Sequence, residues 1–108
     1  MVDSIQVQLK KGALDLCVLA ILSRGESYGY EIANTLVAAV GMGEGTIYPL
    51  MRRMQNDGLV ATRLVESSSG PSRKYYRLTQ LGKTVFEAHC RDWDSFKDAV
   101  EKLLEGLK

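Results

Sequence analysis

The sequence is poor in the residues that build metal sites and disulfide frameworks. Its 108 residues include two cysteines, Cys17 and Cys90, and one histidine, His89. The cysteines lie far apart and form no CxxC pattern, so neither a disulfide framework nor a structural zinc site is expected. No glycine-rich phosphate loop, nucleophile elbow or catalytic carboxylate pair appears. We therefore expect no catalytic residue, no metal, no cofactor and no enzymatic activity.

Long hydrophobic runs are also missing. The most apolar stretch, residues 13–22, is interrupted by Asp15 and is too short to span a bilayer. No cleavage site of small residues follows it, so it is not a secretory signal. Together with two unpaired cysteines, these features favour a cytoplasmic protein without membrane contact. Apolar residues make up 45% and charged residues 25% of the chain, which is typical of a soluble globular protein.

The net charge of +1 excludes a uniformly basic, histone-like protein. The charge is nevertheless uneven along the chain. Residues 44–78 contain six basic and three acidic side chains, whereas the segments before and after each have a net charge of −1. The middle third therefore favours a local basic surface.

Hydrophobic periodicity predicts three helices between residues 5 and 58. The first covers Ile5–Ser23 and is apolar nearly all round in its second half, which predicts burial on more than one side. The second starts near Ser27, its expected N-cap, and stops at residues 41–43. The third runs from residue 44 or 45 to Gly58. Their predicted buried faces are Ile32, Leu36, Val37 and Val40 in the second, and Ile47, Leu50, Met51 and Met54 in the third.

A β-hairpin is predicted next. Residues 59–66 form its first strand, with Val60, Thr62 and Leu64 on one face, and residues 73–78 form the return strand. Residues 67–72, rich in serine with Gly-Pro, are expected to be a polar loop.

Thr79 is the expected N-cap of a last helix that runs to about Leu107. This helix has a heptad seam of about three repeats. Such a seam is too long to bury within one small subunit, which favours a two-fold homodimer. The alternative is that the seam packs only on the first helix. The predicted dimer residues are Phe86, His89, Trp93, Phe96, Val100, Leu103 and Leu107.

The order of elements predicts a mainly α fold with a small β-hairpin. It is a winged helix-turn-helix over residues 1–79, followed by a long C-terminal dimerisation helix over residues 80–108. A third helix placed in the major groove of DNA would present its early residues to base edges. Arg73 and Lys74 at the tip of the hairpin would meet the flanking backbone or minor groove. Pro49 is expected in or just after the first turn of that helix. The predicted DNA-binding residues are Glu44, Thr46, Tyr48, Pro49, Arg52, Arg53, Ser72, Arg73 and Lys74.

Several of these side chains have simpler interpretations. Arg52 and Arg53 could be solvated surface residues. Tyrosines often pack a small core, which we expect for Tyr30, Tyr75 and Tyr76. A winged helix used only for protein–protein contact remains the alternative function, because fold does not fix function. That alternative would favour an acidic or apolar face on the third helix, which this sequence lacks.

Four segments together resemble the PadR family of bacterial transcriptional regulators. They are SYGYEI at residues 27–32, GTIYPLMRRM at 45–54, DGLV at 57–60 and GPSRKYYRLT at 70–79. The chain length suits the short subgroup with a single C-terminal helix. The resemblance implies a homodimeric winged helix-turn-helix repressor that binds a palindromic operator in double-stranded DNA.

The one tryptophan lies in the middle of the seam. In a two-fold dimer, Trp93 and its symmetry mate could leave an apolar slot for a flat aromatic effector, which the resemblance allows. A packed interface without a cavity is the simpler alternative. The residues expected to line such an effector pocket are Leu16, Ala20, Phe86 and Trp93.

Overall fold

The computed structural model describes residues 5–107 and confirms the mainly α, winged-helix architecture. Four helices surround a small three-stranded antiparallel sheet. The elements, in chain order, are α1 (Ile5–Ser23), β1 (Ser27–Tyr28), α2 (Gly29–Val40), α3 (Glu44–Asn56), β2 (Val60–Ser67), β3 (Gly70–Leu78) and α4 (Gln80–Leu104).

The core lies where α1, α2 and α3 meet the inner face of the sheet. α1 packs against α2, β3 and α4, so its apolar half is buried on more than one side as predicted. The predicted stripe of α3 is entirely buried. On α2 the buried face differs from the prediction, since Ala33 is buried and Val37 is 45% exposed. The largest side chains that are less than 2% exposed are Leu19, Ile32, Leu36, Ile47, Met51, Met54 and Val18.

The sequence did not predict β1. Ser27 and Tyr28 pair with Tyr76 and Tyr75 of β3, so the sheet order is β1-β3-β2. The prediction that Ser27 is the N-cap of α2 was therefore wrong. Tyr28 is the N-cap, and the Glu31 carboxylate accepts its backbone N–H at 3.3 Å. Tertiary pairing with β3 extends the chain at Ser27 and overrides its local preference for capping.

The hairpin is longer than predicted, because residues 67–72 are not a loop. The strands continue to the pair Ser67 and Gly70, with a register irregularity after Val65, and only residues 68 and 69 form the turn. Pro71 is tolerated in β3 because β1 pairs only near Tyr75 and Tyr76, which leaves one edge of β3 open at the proline. We call residues 60–78 the wing. Leu64 shares a face with Val60 and Thr62 as predicted, but it lies beyond the core and is 72% exposed.

The start of α4 is fixed by a side-chain cap and a close backbone approach. Thr79 is the N-cap as predicted: its hydroxyl accepts the Gly82 N–H at 3.0 Å and donates to the Gly58 carbonyl at 2.6 Å. Gly82 is the one residue of α4 that is buried, and it lies directly against the backbone of Leu59. The helix ends at Leu104, three residues before the predicted end at Leu107.

Within residues 5–107, none of the helices combines the length and the apolar character that crossing a membrane requires.

Candidate nucleic-acid interface

Helix α3 has one buried face and one exposed polar face. Its apolar stripe faces the core, and Glu44, Thr46, Pro49 and Arg52 are exposed on the other side. Tyr48 lies at the edge between the two faces and is half-buried. The acidic Glu44 lies in the first turn, where a negative charge interacts favourably with the helix dipole. The early residues of α3 are therefore accessible to a ligand from outside.

Pro49 lies just after the first turn of α3, as the sequence predicted. It is the sixth residue of the helix. A proline at this position cannot donate to the carbonyl four residues earlier, which is that of Gly45. The proline therefore removes one intrahelical bond on the exposed side of α3.

The wing, Tyr48 of α3 and the junction of β1 with α2 line an open groove of about 690 Å³. We call it the α3–wing groove. It brings Tyr48 together with three predicted wing residues, Ser72, Arg73 and Lys74. Glu44, Thr46, Pro49 and the two arginines of α3 do not line it. The full lining consists of Tyr28, Gly29, Tyr30, Tyr48, Ser67, Ser69, Gly70, Pro71, Ser72, Arg73, Lys74 and Tyr76.

Two tyrosines pack over Gly29 at the base of this groove. A Cβ placed on Gly29 would lie 3.5 Å from Cε1 of both Tyr48 and Tyr76. Burial raises the pKa of Tyr48, and the carboxylate of Glu44 raises it further. Burial also raises the pKa of Tyr76, with Tyr48 adding to the shift. Both phenols therefore remain protonated at neutral pH and can donate hydrogen bonds to an anionic ligand.

The wing cations lie along β3 and not at the tip of the hairpin, where the sequence placed them. Arg73 pairs with Val65, and Lys74 pairs with Leu64. The Arg73 guanidinium lies 4.8 Å from the centroid of the Tyr28 ring, and Lys74 Nζ lies 5.5 Å from that of Tyr76. Because consecutive strand residues point to opposite faces, these two cations lie on opposite faces of the wing.

Arg53 has partners within the chain. One of its guanidinium nitrogens contacts both carboxylate oxygens of Asp15 on α1, at 3.0 and 3.1 Å. A second nitrogen lies 3.8 Å from Asp57. Arg53 therefore links α3 to α1 and does not line the α3–wing groove.

The burial of the three tyrosines predicted to pack the core differs from the prediction at Tyr30. Tyr76 is buried and Tyr75 half-buried, but Tyr30 is 56% exposed, so the expectation that Tyr30 packs the core was wrong. Tyr30 is the second residue of α2 and lines the groove, and the centroid of its ring lies 6.4 Å from that of the Tyr28 ring. Sequence reasoning missed Tyr28 and Tyr30 as groove residues. The Tyr-Gly-Tyr spacing was the available signal, since it places two rings on either side of a side-chain-free position.

The seam of α4 is largely uncovered in the single chain. Phe86, His89 and Val100 are half-buried, while the remaining seam residues are exposed. Exposure reaches 43% at Trp93, 65% at Phe96, 79% at Leu103 and 77% at Leu107. Of the predicted effector residues, Leu16 and Ala20 on α1 are half-buried, as is Phe86.

The two thiols are free and half-buried. Burial raises the pKa of Cys17, which keeps that thiol protonated at neutral pH. Over residues 5–107, no three His, Cys, Asp or Glu side chains gather in a way that could hold a metal ion.

Comparison with known proteins relates this architecture to a family. The sequence profile of the transcriptional regulator PadR-like family matches residues 18–88. A PadR-like transcriptional regulator of Bacillus cereus is 40% identical, with 92% of this chain and 98% of that chain covered and a TM-score of 0.82. A PadR family transcriptional regulator of Eggerthella lenta is 37% identical, with 93% and 88% covered and a TM-score of 0.82.

A more distant structure shares the fold. Bacillus subtilis PadR, solved in complex with operator DNA, is 23% identical, with 71% of this chain and 46% of that chain covered and a TM-score of 0.65. The profile match extends from the last third of α1 into α4, and so includes α3 and the whole wing. The chain therefore belongs to the PadR-like family, and it is a transcriptional regulator and not an enzyme.

Proposed function

We propose that this protein is a homodimeric repressor that binds a pseudo-palindromic operator in double-stranded DNA. The observation that carries the proposal is the α3–wing groove, which joins Tyr48 to Arg73 and Lys74 beside an exposed helix face. The operator complex of Bacillus subtilis PadR, which has the same fold, supports DNA as the ligand. We place the protein in the cytoplasm, because its proposed ligand is genomic DNA.

The exposed residues of α3 would read base edges in the major groove. Thr46, Tyr48 and Pro49 stand in the part of the helix that enters first. Arg52 follows one turn later, where a guanidinium can reach guanine or phosphate. Glu44 can accept a hydrogen bond from a cytosine amino group.

The wing residues would hold the phosphates. Ser72 and Lys74 can donate to phosphate oxygens, and Arg73 can do so through the outer edge of its guanidinium. Arg53 bonds Asp15 on α1 and does not line the α3–wing groove, so we assign it to holding α3 against α1. Its contribution to DNA affinity would be indirect.

The dimer would form through α4. The alternative, in which the seam packs only on α1, is disfavoured by the exposure of Trp93, Phe96, Leu103 and Leu107 although α1 and α4 are in contact. Pairing with a second copy removes this apolar surface from water and sets the spacing of the two α3 helices. Residues 1–79 would then read DNA, and residues 80–108 would dimerise.

Sedimentation equilibrium tests the dimer. Phe96→Glu should shift the chain toward monomer, whereas Lys102→Glu, which lies off the seam, should leave the dimer intact. Dimerisation that survives Phe96→Glu unchanged would remove the seam as the interface.

Fluorescence anisotropy tests sequence-specific binding. Labelled DNA from upstream of the protein's own gene is compared with scrambled DNA over a salt series. A specific affinity at least about a thousandfold above the non-specific one identifies a sequence-reading regulator. If this DNA gives no preference, sites are selected from random duplexes, and failure to enrich any site contradicts the proposal. A reporter with the site across its promoter should be silenced by the protein.

A flat aromatic effector would bind between the two copies of α4, beside Leu16, Ala20, Phe86 and Trp93. The support is that Trp93 is 43% exposed in the middle of the seam. A ligand there would release DNA only if it favours one dimer geometry over another. Planar aromatic compounds should quench Trp93 fluorescence. A broad set that neither quenches nor changes DNA affinity would favour a packed interface without a cavity.

A further inference from the structure

The wing has a second cationic face, on the side away from the core. Residues that alternate along β2 and β3 share this face, and the register places Arg63 opposite Tyr75 and Arg77 opposite Ala61. The intervening residues Tyr76 and Leu78 are buried, so the other set points outward. We call Tyr28, Arg63, Arg73, Tyr75 and Arg77 the outer wing face.

Arginines and aromatic rings alternate on this face. The Tyr28 and Tyr75 rings are 5.6 Å apart between centroids. Arg73 lies over Tyr28 at 4.8 Å, and Arg63 lies over Tyr75 at 5.4 Å. A guanidinium that stacks on a ring keeps its N–H edge available for a phosphate oxygen while its flat face is desolvated.

One carboxylate partly neutralises the face. Glu26, in the segment between α1 and β1, accepts from Arg63 Nε at 2.9 Å and from Nη2 of the same residue. The hydrogen bond from Arg63 lowers the pKa of Glu26, and the positive charge of Arg77 lowers it further. Three guanidinium groups are thus balanced by a single carboxylate among the residues named, which leaves an excess of positive charge.

We propose that the outer wing face is a second phosphate-binding surface, which contacts the duplex backbone on the side of the wing away from the core. This inference rests on the proposed function, and it extends the interface to Arg63, Tyr75 and Arg77, which do not line the groove. The support is continuity: Arg73 lines the groove and also belongs to the outer face, while its neighbour Lys74 points to the inner face. A ribbon with cations on both faces suits a position between two phosphate strands.

Glu26 has a defined part in this arrangement. Its carboxylate holds the Arg63 side chain in place over Tyr75, and it also competes with phosphate for the same N–H groups. Removing its charge should therefore strengthen DNA binding, while removing an arginine should weaken it. Changes in DNA affinity of opposite sign at Glu26 and at the arginines would distinguish direct phosphate contact from a general loss of folding.

The test uses the full-length protein and a non-specific duplex long enough to extend beyond both wings. Anisotropy is measured over a salt series for Arg63→Gln, Arg77→Gln and Glu26→Gln, with Lys102→Gln on α4 as the control for net charge. Each phosphate-binding arginine contributes about 0.9 to the salt slope and about eightfold to the affinity at about 0.1 M salt. A substitution removes two such arginines from the dimer, so it should lower the slope by about 1.8 and the affinity by about sixtyfold when both wings contact the duplex. Glu26→Gln should raise the affinity, and Lys102→Gln should match the parent.

Two results would overturn the inference, and they can be told apart. If the parent protein binds DNA but Arg63→Gln and Arg77→Gln keep its slope and affinity, the outer wing face does not touch DNA and the proposed function stands. If the parent binds no duplex at all, both proposals fail. Thermal unfolding of each variant shows whether the fold is intact.

Discussion

Replacing Gly82 by alanine should destabilise the protein, although alanine is the better helix former. In a helix interior, glycine to alanine is favourable by about 1 kcal/mol. At Gly82, however, the new Cβ would overlap the carbonyl oxygen of Leu59 and lie 3.0 Å from its carbon. It would also lie 3.3 Å from Leu78 Cδ2. The obstacle is backbone, which cannot rotate away, so α4 itself must move.

Moving α4 away from Leu59 costs free energy. Separating a carbon from a carbonyl oxygen to ordinary contact requires a shift of the order of 1 Å. This shift would strain the bonds that join the start of α4 to residues 58 and 59, namely Thr79 N–H to the Leu59 carbonyl at 3.1 Å and the Thr79 hydroxyl to the Gly58 carbonyl. Overpacking of this kind costs about 1–3 kcal/mol, and a strained hydrogen bond adds about 1 kcal/mol. After the helix-propensity gain, we expect a net loss of about 2 kcal/mol.

Thermal unfolding followed by circular dichroism measures this loss. A loss of about 2 kcal/mol should lower Tm by roughly 5–10 °C in a domain of this size. Gly45→Ala is the matched control, because Gly45 is also helical but has open space where its Cβ would lie, so its Tm should stay level or rise. A Gly82→Ala variant as stable as its parent would refute the close approach of α4 to Leu59.

Further predictions concern DNA affinity, the α4 cap and a thiol. Tyr48→Ala should weaken specific binding by about 1–3 kcal/mol with little loss on random DNA. Lys74→Ala should weaken both and lower the salt slope by about 1 for each subunit that contacts the duplex, as anisotropy can measure. Thr79→Ala should lose about 1 kcal/mol of stability in urea unfolding, and Thr84→Ala, which only bonds back to its own helix, almost none. Cys17 should react with Ellman's reagent more slowly than an exposed thiol at pH 8, because burial raises its pKa.

Local patterns predicted the helices and the cap well. The apolar stripe of α3 and the Thr79 N-cap depend on residues close in sequence, and the structure confirms both. The seam of α4 could also be predicted from the sequence, because heptad spacing depends only on residues within one helix. The order of these elements was sufficient to predict a winged helix.

Features that depend on distant residues were not predictable in this way. β1 exists because Ser27 and Tyr28 pair with β3, and no periodicity in two residues signals a strand. The contact of Arg53 with Asp15 joins residues 38 positions apart, so the sequence could not distinguish it from a phosphate-binding arginine. The groove tyrosines were missed for the same reason, because β1 sets the position of Tyr28 against the wing.

A direct measurement of the central claim is an NMR titration of the labelled protein with a duplex selected for tight binding. Backbone amide shifts report which residues meet DNA. The proposed interface predicts the largest changes in residues 44–52 of α3 and 67–76 of the wing, with small changes toward the end of α4. Changes confined to α4, or none in α3, would contradict DNA reading by the α3–wing groove and favour a winged helix that serves protein–protein contact.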